Sequence, residues 1–192
     1  TRVRGVTAGN CVLEVARNCE ISTWYVDPFD SADASRATVL VDPYGLIFDS
    51  RTGAPINGAR VRLLSAASGA PANVVGDDGV SRYPSEMLTG AAVTDASGTV
   101  YTLPAGVFRF PLVEPGNYRI EIDPPAGHAF PSALSMTDLG QTPGGPFRLK
   151  TGSFGEVFAA DGPTAVAVDV PIDAAPSQLF MQKSTTATVA AL

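Results

Sequence analysis

The sequence predicts an all-β protein built as a sandwich of two sheets, and three observations support this class. Apolar and polar residues alternate in several short runs, most cleanly where Ala59, Val61 and Leu63 are expected to face inward and Arg60 and Arg62 outward. The chain has 19 glycines and 16 prolines, which interrupt helices and supply turns. No helical periodicity extends beyond one turn, so an all-β sandwich fits best.

Composition excludes several other classes of protein. With 45% hydrophobic residues the chain can build a core, so it is not a disordered chain. The net charge of −6 and a pI near 4.6 argue against nucleic acid as a partner, because phosphate binding needs clustered Lys and Arg. No apolar run approaches the roughly 18 residues that suggest a membrane-spanning helix, so membrane insertion is not expected.

The first expected unit is a small N-terminal β element over residues 1–36, or the tail of a preceding domain. Its strand-like runs are 1–6, 11–15 and 21–26, the last of which contains Trp24 and Tyr25. The segment from 27 to about 36 has the composition of a loop.

The second expected unit is the sandwich itself, over residues 37–175. The strands expected in it are 38–49, 56–64, 93–98 (ending in turn residues), 107–110, 118–122, 155–159 and 165–170. Between them, residues 84–88 are the one possible helical turn, and residues 114–117 predict a type II turn with Gly116 left-handed. A linker and a lone strand, either the start of a next domain or a donor strand, are expected over residues 176–192.

Cys11 and Cys19 lie eight positions apart. A structural zinc site is not expected, because the chain has a single histidine, His128, and zinc usually takes four Cys or His ligands. The spacing favours a disulfide across a short hairpin, with two free buried thiols as the alternative. A disulfide would indicate an oxidising compartment, and the start at Thr1 is interpreted as a processed form or a piece of a longer exported protein.

The run from Gly45 to Leu63, G-L-I-F-D-S-R-T-G-A-P-I-N-G-A-R-V-R-L, resembles the opening of carboxypeptidase-regulatory-like and bacterial Cna-B (SdrD-B-like) domains. Further motifs follow in the order of that family: Val93–Gly98, Phe108–Phe110, Glu114–Ile122 and Pro124–Phe130. The resemblance covers about residues 38–172 and implies a transthyretin-like, or prealbumin-like, Greek-key β-sandwich. Residues Leu179–Val189 resemble the first strand of a DUF11-type repeat. Such domains are beads in large bacterial surface or secreted proteins, so the resemblance implies an extracellular, cell-surface location.

The motif residues also have a structural interpretation of their own. Gly53 and Gly58 are expected to permit tight turns at positive φ, and Pro55 to set the chain direction between strands. Tyr118 is expected to pack inward with its hydroxyl on nearby backbone. These are residues of a scaffold.

Catalytic patterns are missing from the sequence, so an enzyme is not expected. His128 stands in a Pro/Gly-rich loop sequence with no G-x-S-x-G nucleophile motif elsewhere. Metalloprotease, deaminase and phosphate-loop signatures are also lacking. No cofactor is expected apart from a possible calcium ion.

Calcium is the one metal considered. Oxygen-rich loops can bind it, and the candidate ligands are Asp27, Asp30, Asp33, Asp77 and Asp78. Both loops depart from the D-x-[DN]-x-D-G pattern of SdrD-B-like domains, and the alternative is a set of solvated turn aspartates.

Cna-B-like domains often carry a Lys–Asn isopeptide bond whose lysine lies on an early strand. This chain has only Lys150 and Lys183, and neither occupies that position. An isopeptide bond is therefore not expected here, and stability is expected from packing and the disulfide.

Three functions are compatible with the sequence. The first is a non-catalytic structural or adhesive module, a stalk or spacer whose partners are neighbouring domains of the same chain or other copies of itself. The second is a self-assembling filament subunit that uses its C-terminal segment as a donor strand. The third is a glycan-binding accessory domain with Trp24 and Tyr25 as a stacking platform for a host or glycan ligand.

Overall fold

The computed structural model describes residues 40–161 and 164–175, and also the backbone pairing of two strands nearer the N-terminus. The described part contains sixteen strands, one short α-helix and one 3₁₀ turn. They are β1 (Val12–Ala16), β2 (Glu20–Trp24), β3 (Pro43–Asp49), β4 (Arg60–Ser65), β5 (Val74–Val75), β6 (Arg82–Tyr83), β7 (Glu86–Leu88), β8 (Val93–Thr94), β9 (Val100–Tyr101), β10 (Val107–Arg109), β11 (Leu112–Val113), β12 (Gly116–Asp123), β13 (His128–Ala129), α1 (Met136–Leu139), the 3₁₀ turn (Thr151–Phe154), β14 (Val157–Ala160), β15 (Val166–Ala167) and β16 (Val170–Ala174).

Two sheets form the sandwich. Sheet I has the order β10-β3-β16-β13, with β15 also paired to β3, and sheet II has the order β14-β12-β4-β7. Neighbours in both sheets are mostly distant in sequence, as in a Greek key, because the chain crosses repeatedly between the sheets. A three-stranded sheet (β11-β5-β6), the hairpin β8-β9 and the two-stranded sheet β1-β2 complete the described part. The predicted all-β sandwich is confirmed.

The alternation in β4 and β12 builds the core between the sheets. Val61 and Leu63 are fully buried, and they are paired in register with Ile122 and Ile120 of β12. Phe108 of β10 is also fully buried in the same core. Arg60 and Arg62 point to the solvent side and form ion pairs with acidic residues of β7 and β12, as the alternation predicted.

The predicted turn residues have a mixed outcome. Gly53 and Gly58 adopt φ of 71° and 78°, as expected. Tyr118 is 7% exposed, and its hydroxyl donates to the Glu114 carbonyl at 2.7 Å, which confirms its predicted role. Gly116 was predicted to be left-handed, but it starts β12 and is not among the glycines with positive φ. That prediction is wrong, because pairing with Ala160 of β14 already begins at Gly116 and requires extended backbone.

The helical turn predicted at residues 84–88 is also wrong. Glu86–Leu88 form β7, because β4 offers an unsatisfied edge and the two strands pair over three residues. The described helix is instead Met136–Leu139, within the long excursion between β12 and β14. Its N-cap is Ser135, in a capping box with Asp138.

The excursion after β13 covers the outer face of sheet I. Phe147 stacks on Phe48 of β3 with ring centroids 3.7 Å apart, and Phe48 is fully buried as a result. The Arg148 guanidinium lies over the Tyr44 ring at 5.0 Å from its centroid. Both faces of β3 are therefore buried. Its sequence is an almost continuous apolar run because neither face is in water.

Near the N-terminus, β1 and β2 pair as an antiparallel two-stranded sheet, with Val12 opposite Trp24 and Ala16 opposite Glu20. These strands agree with two of the three strand-like runs expected in residues 1–36. The run 1–6 lies outside the described residues, as do Cys11 and Cys19, so the disulfide stays a prediction.

Candidate functional site

The main feature of the fold is that the first and last strands of the sandwich, β3 and β16, lie side by side in sheet I. β3 pairs in parallel with β15 and then with β16, with Val166 opposite Pro43 and Ile172 opposite Asp49. We call β3, β15 and β16 the terminal strand pair. Because the strands are parallel, the chain enters at the start of β3 and leaves at the end of β16, at opposite ends of the sandwich. The strand rise of about 3.3 Å per residue places these ends roughly 25–30 Å apart.

The two ends of the sandwich differ in whether the chain enters or leaves there. The entry pole is the end at which residue 40 leads into β3, and the exit pole is the end at which β16 finishes. β12 runs toward the exit pole, since the turn after it leads to His128, which pairs with Ala174. β14 is antiparallel to β12 and therefore runs toward the entry pole.

A carboxylate bridges the terminal strand pair at its centre. Asp169 lies in the break between β15 and β16 and is 2% exposed. Its Oδ1 accepts the Leu46 backbone N–H at 3.0 Å, so a side chain takes the place of a main-chain acceptor in the ladder. Its Oδ2 accepts the backbone N–H of Arg148 at 2.7 Å and the Arg148 Nε–H at 3.0 Å.

Arg148 extends this bridge to the outer face of sheet I. Its Nη2 donates to Asp169 Oδ1 at 3.1 Å, and its Nη1 donates to the Tyr44 hydroxyl at 3.0 Å. The guanidinium is thus held in one plane by a bidentate carboxylate and an aromatic face. The arrangement joins β3, β16 and the excursion through one ion pair, in which the carboxylate is buried and the guanidinium is partly exposed.

Just before Asp169, the strands approach unusually closely. Gly45 of β3 lies against Val168, whose N–H donates to the Tyr44 carbonyl at 2.8 Å. A Cβ added to Gly45 would come within 1.9 Å of the Val168 carbonyl oxygen and 2.8 Å of the Phe108 ring. Glycine is therefore required here by the space between the strands.

A second carboxylate, that of Asp173, forms hydrogen bonds at the exit pole. Asp173 Oδ1 accepts the hydroxyls of Ser50 and Ser132, both at 2.6 Å, and its Oδ2 accepts the Ala133 N–H at 2.7 Å. Burial raises the pKa of Asp173, but these hydrogen bonds outweigh it and hold the pKa below the ordinary value. The end of β16 is thereby tied to the turn after β3 and to the excursion.

At the entry pole, the start of β3 is held by Arg109. The Arg109 Nε donates to Asp42 Oδ2 at 2.9 Å, and its Nη2 donates to Asp77 Oδ1 at 2.7 Å. The other oxygen of Asp42, Oδ1, is buried with no partner among the described residues, as is the Tyr83 hydroxyl. Burial raises the pKa of Asp42 to about 6, against the lowering effect of Arg109.

We expect Asp42 to make stability depend on pH between about 4 and 7. Its pKa in the folded state lies above the ordinary value of 3.8, so its contribution to stability is complete below pH 3.8 and is lost as pH rises through about 6. Asp42→Asn should remove this dependence, so that the free energy of unfolding of the wild type relative to the variant falls by roughly 2–3 kcal/mol from pH 4 to pH 7. Urea denaturation at several pH values measures it.

The control for that experiment is Glu114→Gln, since Glu114 is exposed. It should change the free energy of unfolding by less than about 0.5 kcal/mol. A profile of Asp42→Asn parallel to that of the wild type would show that Asp42 does not titrate in this range. Carboxylates with a lowered pKa, such as Asp173, give stability the opposite pH dependence. Their contribution to the free energy of unfolding is present at neutral pH and is lost as pH falls below 3.8.

The calcium candidates are only partly within the described residues. Asp27, Asp30 and Asp33 lie outside them. Asp77 gives both carboxylate oxygens to Arg109, and Asp78 accepts the N–H groups of Val80 and Ser81 in its own turn. In the parts of the chain that the structure describes, no group of three His, Cys, Asp or Glu side chains could hold a metal ion.

The remaining sequence candidates are placed as follows. His128 was expected in a loop, but it lies in β13, where it pairs with Ala174. Trp24 ends β2, and Tyr25 lies outside the described residues. Lys150 directly precedes the 3₁₀ turn, and Lys183 lies outside the described residues.

An open depression of about 240 Å³ lies beside β6 and β8 and is lined by Arg82, Tyr83, Pro84, Thr94, Asp95 and Ala96. Its carboxylate already has protein partners: Asp95 accepts the Ser97 hydroxyl at 2.6 Å and the Tyr101 hydroxyl at 3.0 Å. These bonds lower the pKa of Asp95 and order the turn between β8 and β9. The depression offers no free base or nucleophile from this carboxylate.

Asp169, Asp173 and Arg148 were not singled out in the sequence. One signal was present for Asp169: it is a charged residue in the otherwise apolar run from Ala165 to Val170. A charge inside a buried strand requires a partner, which marks the position although it does not identify Leu46 or Arg148.

Within the described residues, no helix has both the length and the apolar character needed to span a bilayer. No family model matches the chain, and no curated protein matches it either.

Among solved structures, the chain is similar to the minor pilin GBS52 of the Gram-positive pathogen Streptococcus agalactiae, with 14% identity and a TM-score of 0.44 over 94% of this chain. It is also similar to the pilus 2b backbone protein of group B streptococcus, with 14% identity and a TM-score of 0.40 over 92% of this chain. The matches span 62% and 53% of those two chains. Similarity at this level does not bear on function, and the all-β fold rests on the strand order itself.

Proposed function

We propose that this chain is a non-catalytic structural module of an extracellular bacterial surface protein, a stalk or spacer unit. The observation that carries the proposal is the terminal strand pair. β3 and β16 are parallel neighbours, so the polypeptide enters and leaves the sandwich at opposite poles. The sequence continues beyond both poles, which suits a unit within a row of similar units.

The direction of an applied force explains why this geometry suits a stalk. Tension between the start of β3 and the end of β16 acts along both strands in opposite directions. The hydrogen bonds between them are then loaded together in shear, whereas strands that end at one pole are peeled apart one bond at a time. Forced unfolding depends on the unfolding barrier, so a shear geometry prolongs the folded state under load.

Three polar clusters lie where such a force would act. Arg109 holds the start of β3, Asp169 bridges the middle of the pair, and Asp173 holds the end of β16. The charged groups of these three clusters thus join strands to each other or to neighbouring turns. This supports a mechanical role over a catalytic one.

The sequence resemblance supports the same proposal. Residues 38–172 resemble carboxypeptidase-regulatory-like and Cna-B-like domains, and residues 179–189 resemble the start of a DUF11-type repeat. We take the location to be extracellular and the partners to be neighbouring domains of the same chain. In place of the isopeptide lysine on an early strand, this chain has fully buried apolar residues, namely Ala59 just before β4 and Val61 and Leu63 within it. The Asp169 bridge would supply non-covalent resistance.

Single-molecule force spectroscopy tests the proposal. Cysteine handles would be placed at Leu40 and Ala174 in a background with Cys11→Ser and Cys19→Ser, so that the terminal strand pair is sheared. The matched control places the handles at Ala54 and Ala174, which both lie at the exit pole and would peel the pair. We expect a several-fold higher unfolding force for the first pair. Equal forces would contradict the stalk proposal.

A further inference from the structure

The outer edge of sheet II is open at β14. The Asn117 carbonyl of β12 accepts the Ala66 N–H, so the main-chain groups of Asn117 point toward β4. Main-chain groups alternate in direction along a strand, so those of the next residue, Tyr118, point toward β14 and pair with the main-chain groups of Phe158. The N–H groups of Val157 and Ala159, on either side of Phe158, therefore point away from β12. They have no hydrogen-bond partner among the described residues. The Val157 carbonyl on that side accepts the Thr151 hydroxyl at 3.1 Å.

The side chains of this edge are suited to receive a strand. Val157 is 41% exposed and Ala159 is exposed, whereas Phe158 and Ala160 face the core. Beyond β14 itself, the edge is flanked by two exposed acidic residues, Glu156 and Asp161.

The other described edges of the two main sheets are less accessible. In β7, the Leu88 carbonyl accepts the N–H of Ala91 in the following turn. Pro111, close behind β10, lacks an N–H, and β13 is two residues long. β14 is thus the edge at which a further strand could pair over four or five residues.

We infer that this edge binds residues 179–183 of the C-terminal segment of a second copy, as an added antiparallel strand. The segment L-F-M-Q-K has no proline or glycine, and its first and third residues, Leu179 and Met181, are apolar. With Leu179 opposite Ala160, Met181 falls opposite Phe158, so both apolar side chains face the core. The same register places Lys183, the one charged residue of the segment 176–192, opposite Glu156.

Strand direction favours a second copy over the chain's own β14. The C-terminal segment leaves at the exit pole, and β14 runs from the middle of β12 away from that pole, toward the entry pole. Folding back onto its own β14 would require reversal of the chain within residues 176–178 and would give a parallel pair. A segment that continues in the direction of β16 into the next copy meets its β14 from the entry pole and pairs antiparallel, which is the more stable arrangement. Repetition of this contact gives an open, head-to-tail row.

This inference goes beyond the stalk role and does not depend on it. The test uses full-length protein with reducing agent, so that disulfides between copies do not contribute. Light scattering after size exclusion measures mass over a range of concentrations, and hydrogen exchange measures protection of the Val157 and Ala159 amides. We expect mass and amide protection to rise together with concentration.

Two sets of variants make the test specific. Ala159→Pro removes the N–H that points away from β12, so the hydrogen bonds between β14 and β12 are kept. Because the added strand would lose a donor, the concentration needed for assembly should rise at least about tenfold. Glu156→Lys and Lys183→Glu should each weaken assembly, and the double variant should restore it. Ala67→Lys, on an exposed turn, is the control and should assemble like the wild type.

Three results would overturn the inference. A monomer at every concentration, with the Ala159 amide unprotected, would show that the edge is unoccupied. A monomer with a protected amide would show that the chain's own segment occupies it. Assembly that is unchanged in Ala159→Pro would place the contact elsewhere. None of these results alters the comparison of unfolding forces, which tests the stalk role separately.

Discussion

Asp169→Ala is expected to lower the free energy of unfolding by about 3–4 kcal/mol. The change leaves the Leu46 N–H in the interior of sheet I without its acceptor, and an unsatisfied buried donor costs about 1–3 kcal/mol. It also removes both bonds to the Arg148 guanidinium and the acceptor of the Arg148 backbone N–H. Since the guanidinium is partly exposed, water replaces some of its bonds, and the loss stays below the sum of the individual contacts.

Urea denaturation followed by far-UV circular dichroism measures this effect. Asp169→Asn is an informative second variant, because the amide keeps the size of the side chain and one acceptor oxygen. We expect it to lose most of the same free energy, since its NH₂ group would face N–H donors. Glu114→Ala, an exposed carboxylate, should change stability by less than about 0.5 kcal/mol. A loss of less than 1 kcal/mol in Asp169→Ala would show that the carboxylate does not hold β3 to β16.

The same variant connects stability to the proposed function. If the Asp169 bridge resists shear, Asp169→Ala should lower the unfolding force between handles at Leu40 and Ala174 more than the force between handles at Ala54 and Ala174. A change in a contact that only contributes to overall stability would lower both. The ratio of the two forces therefore separates a mechanical role of Asp169 from a general one.

The strands that could be predicted from the sequence are those in which apolar and polar residues alternate within the strand itself. β4 and β12 alternate because each has one face in the core and one in water, and their period of two is visible in the sequence. β3 was expected as a strand, but its burial on both faces comes from Phe147 and Arg148, about 100 residues further along the chain. Local pattern contains no information about such contacts.

The two wrong local predictions have related causes. Residues 84–88 contain good helix formers, but pairing with β4 outweighs a propensity of a few tenths of a kcal/mol per residue. Gly116 follows a proline in a sequence typical of a type II turn, and the ladder with β14 overrides that preference. In both places a neighbouring strand with unsatisfied main-chain groups decides the conformation.

The candidate site was hidden for the same reason. Its parts, Leu46, Arg148 and Asp169, are separated by 21 to 123 residues and meet only when β3 pairs with β15 and β16. What the sequence did show was a charge within an apolar run. The parallel order of β3 and β16, on which the proposed function depends, cannot be read from any single segment.

The closest contact in the terminal strand pair gives the second large expected effect. Gly45→Ala should destabilise the protein by about 3 kcal/mol or more, because its methyl group would lie 1.9 Å from the Val168 carbonyl oxygen and 2.8 Å from Phe108. Neither neighbour can yield easily, since the first is backbone held by the ladder and the second is a fully buried ring. β3 and β15 must separate, which also weakens the bond from Val168 N to the Tyr44 carbonyl.

Gly116→Ala is the matched control for this substitution. Gly116 also lies in a strand without positive φ, but a Cβ there would be no closer than 3.6 Å to any neighbour. It should be neutral or stabilising by a few tenths of a kcal/mol, because alanine has less conformational freedom in the unfolded chain. If strand separation is the cause, Gly45→Ala should also lose protection of the Val166 and Val168 amides from hydrogen exchange, while β12 amides keep theirs. Equal stability of the two variants would mean that β3 and β15 are not packed as closely as the terminal strand pair requires, and the shear argument would lose its basis.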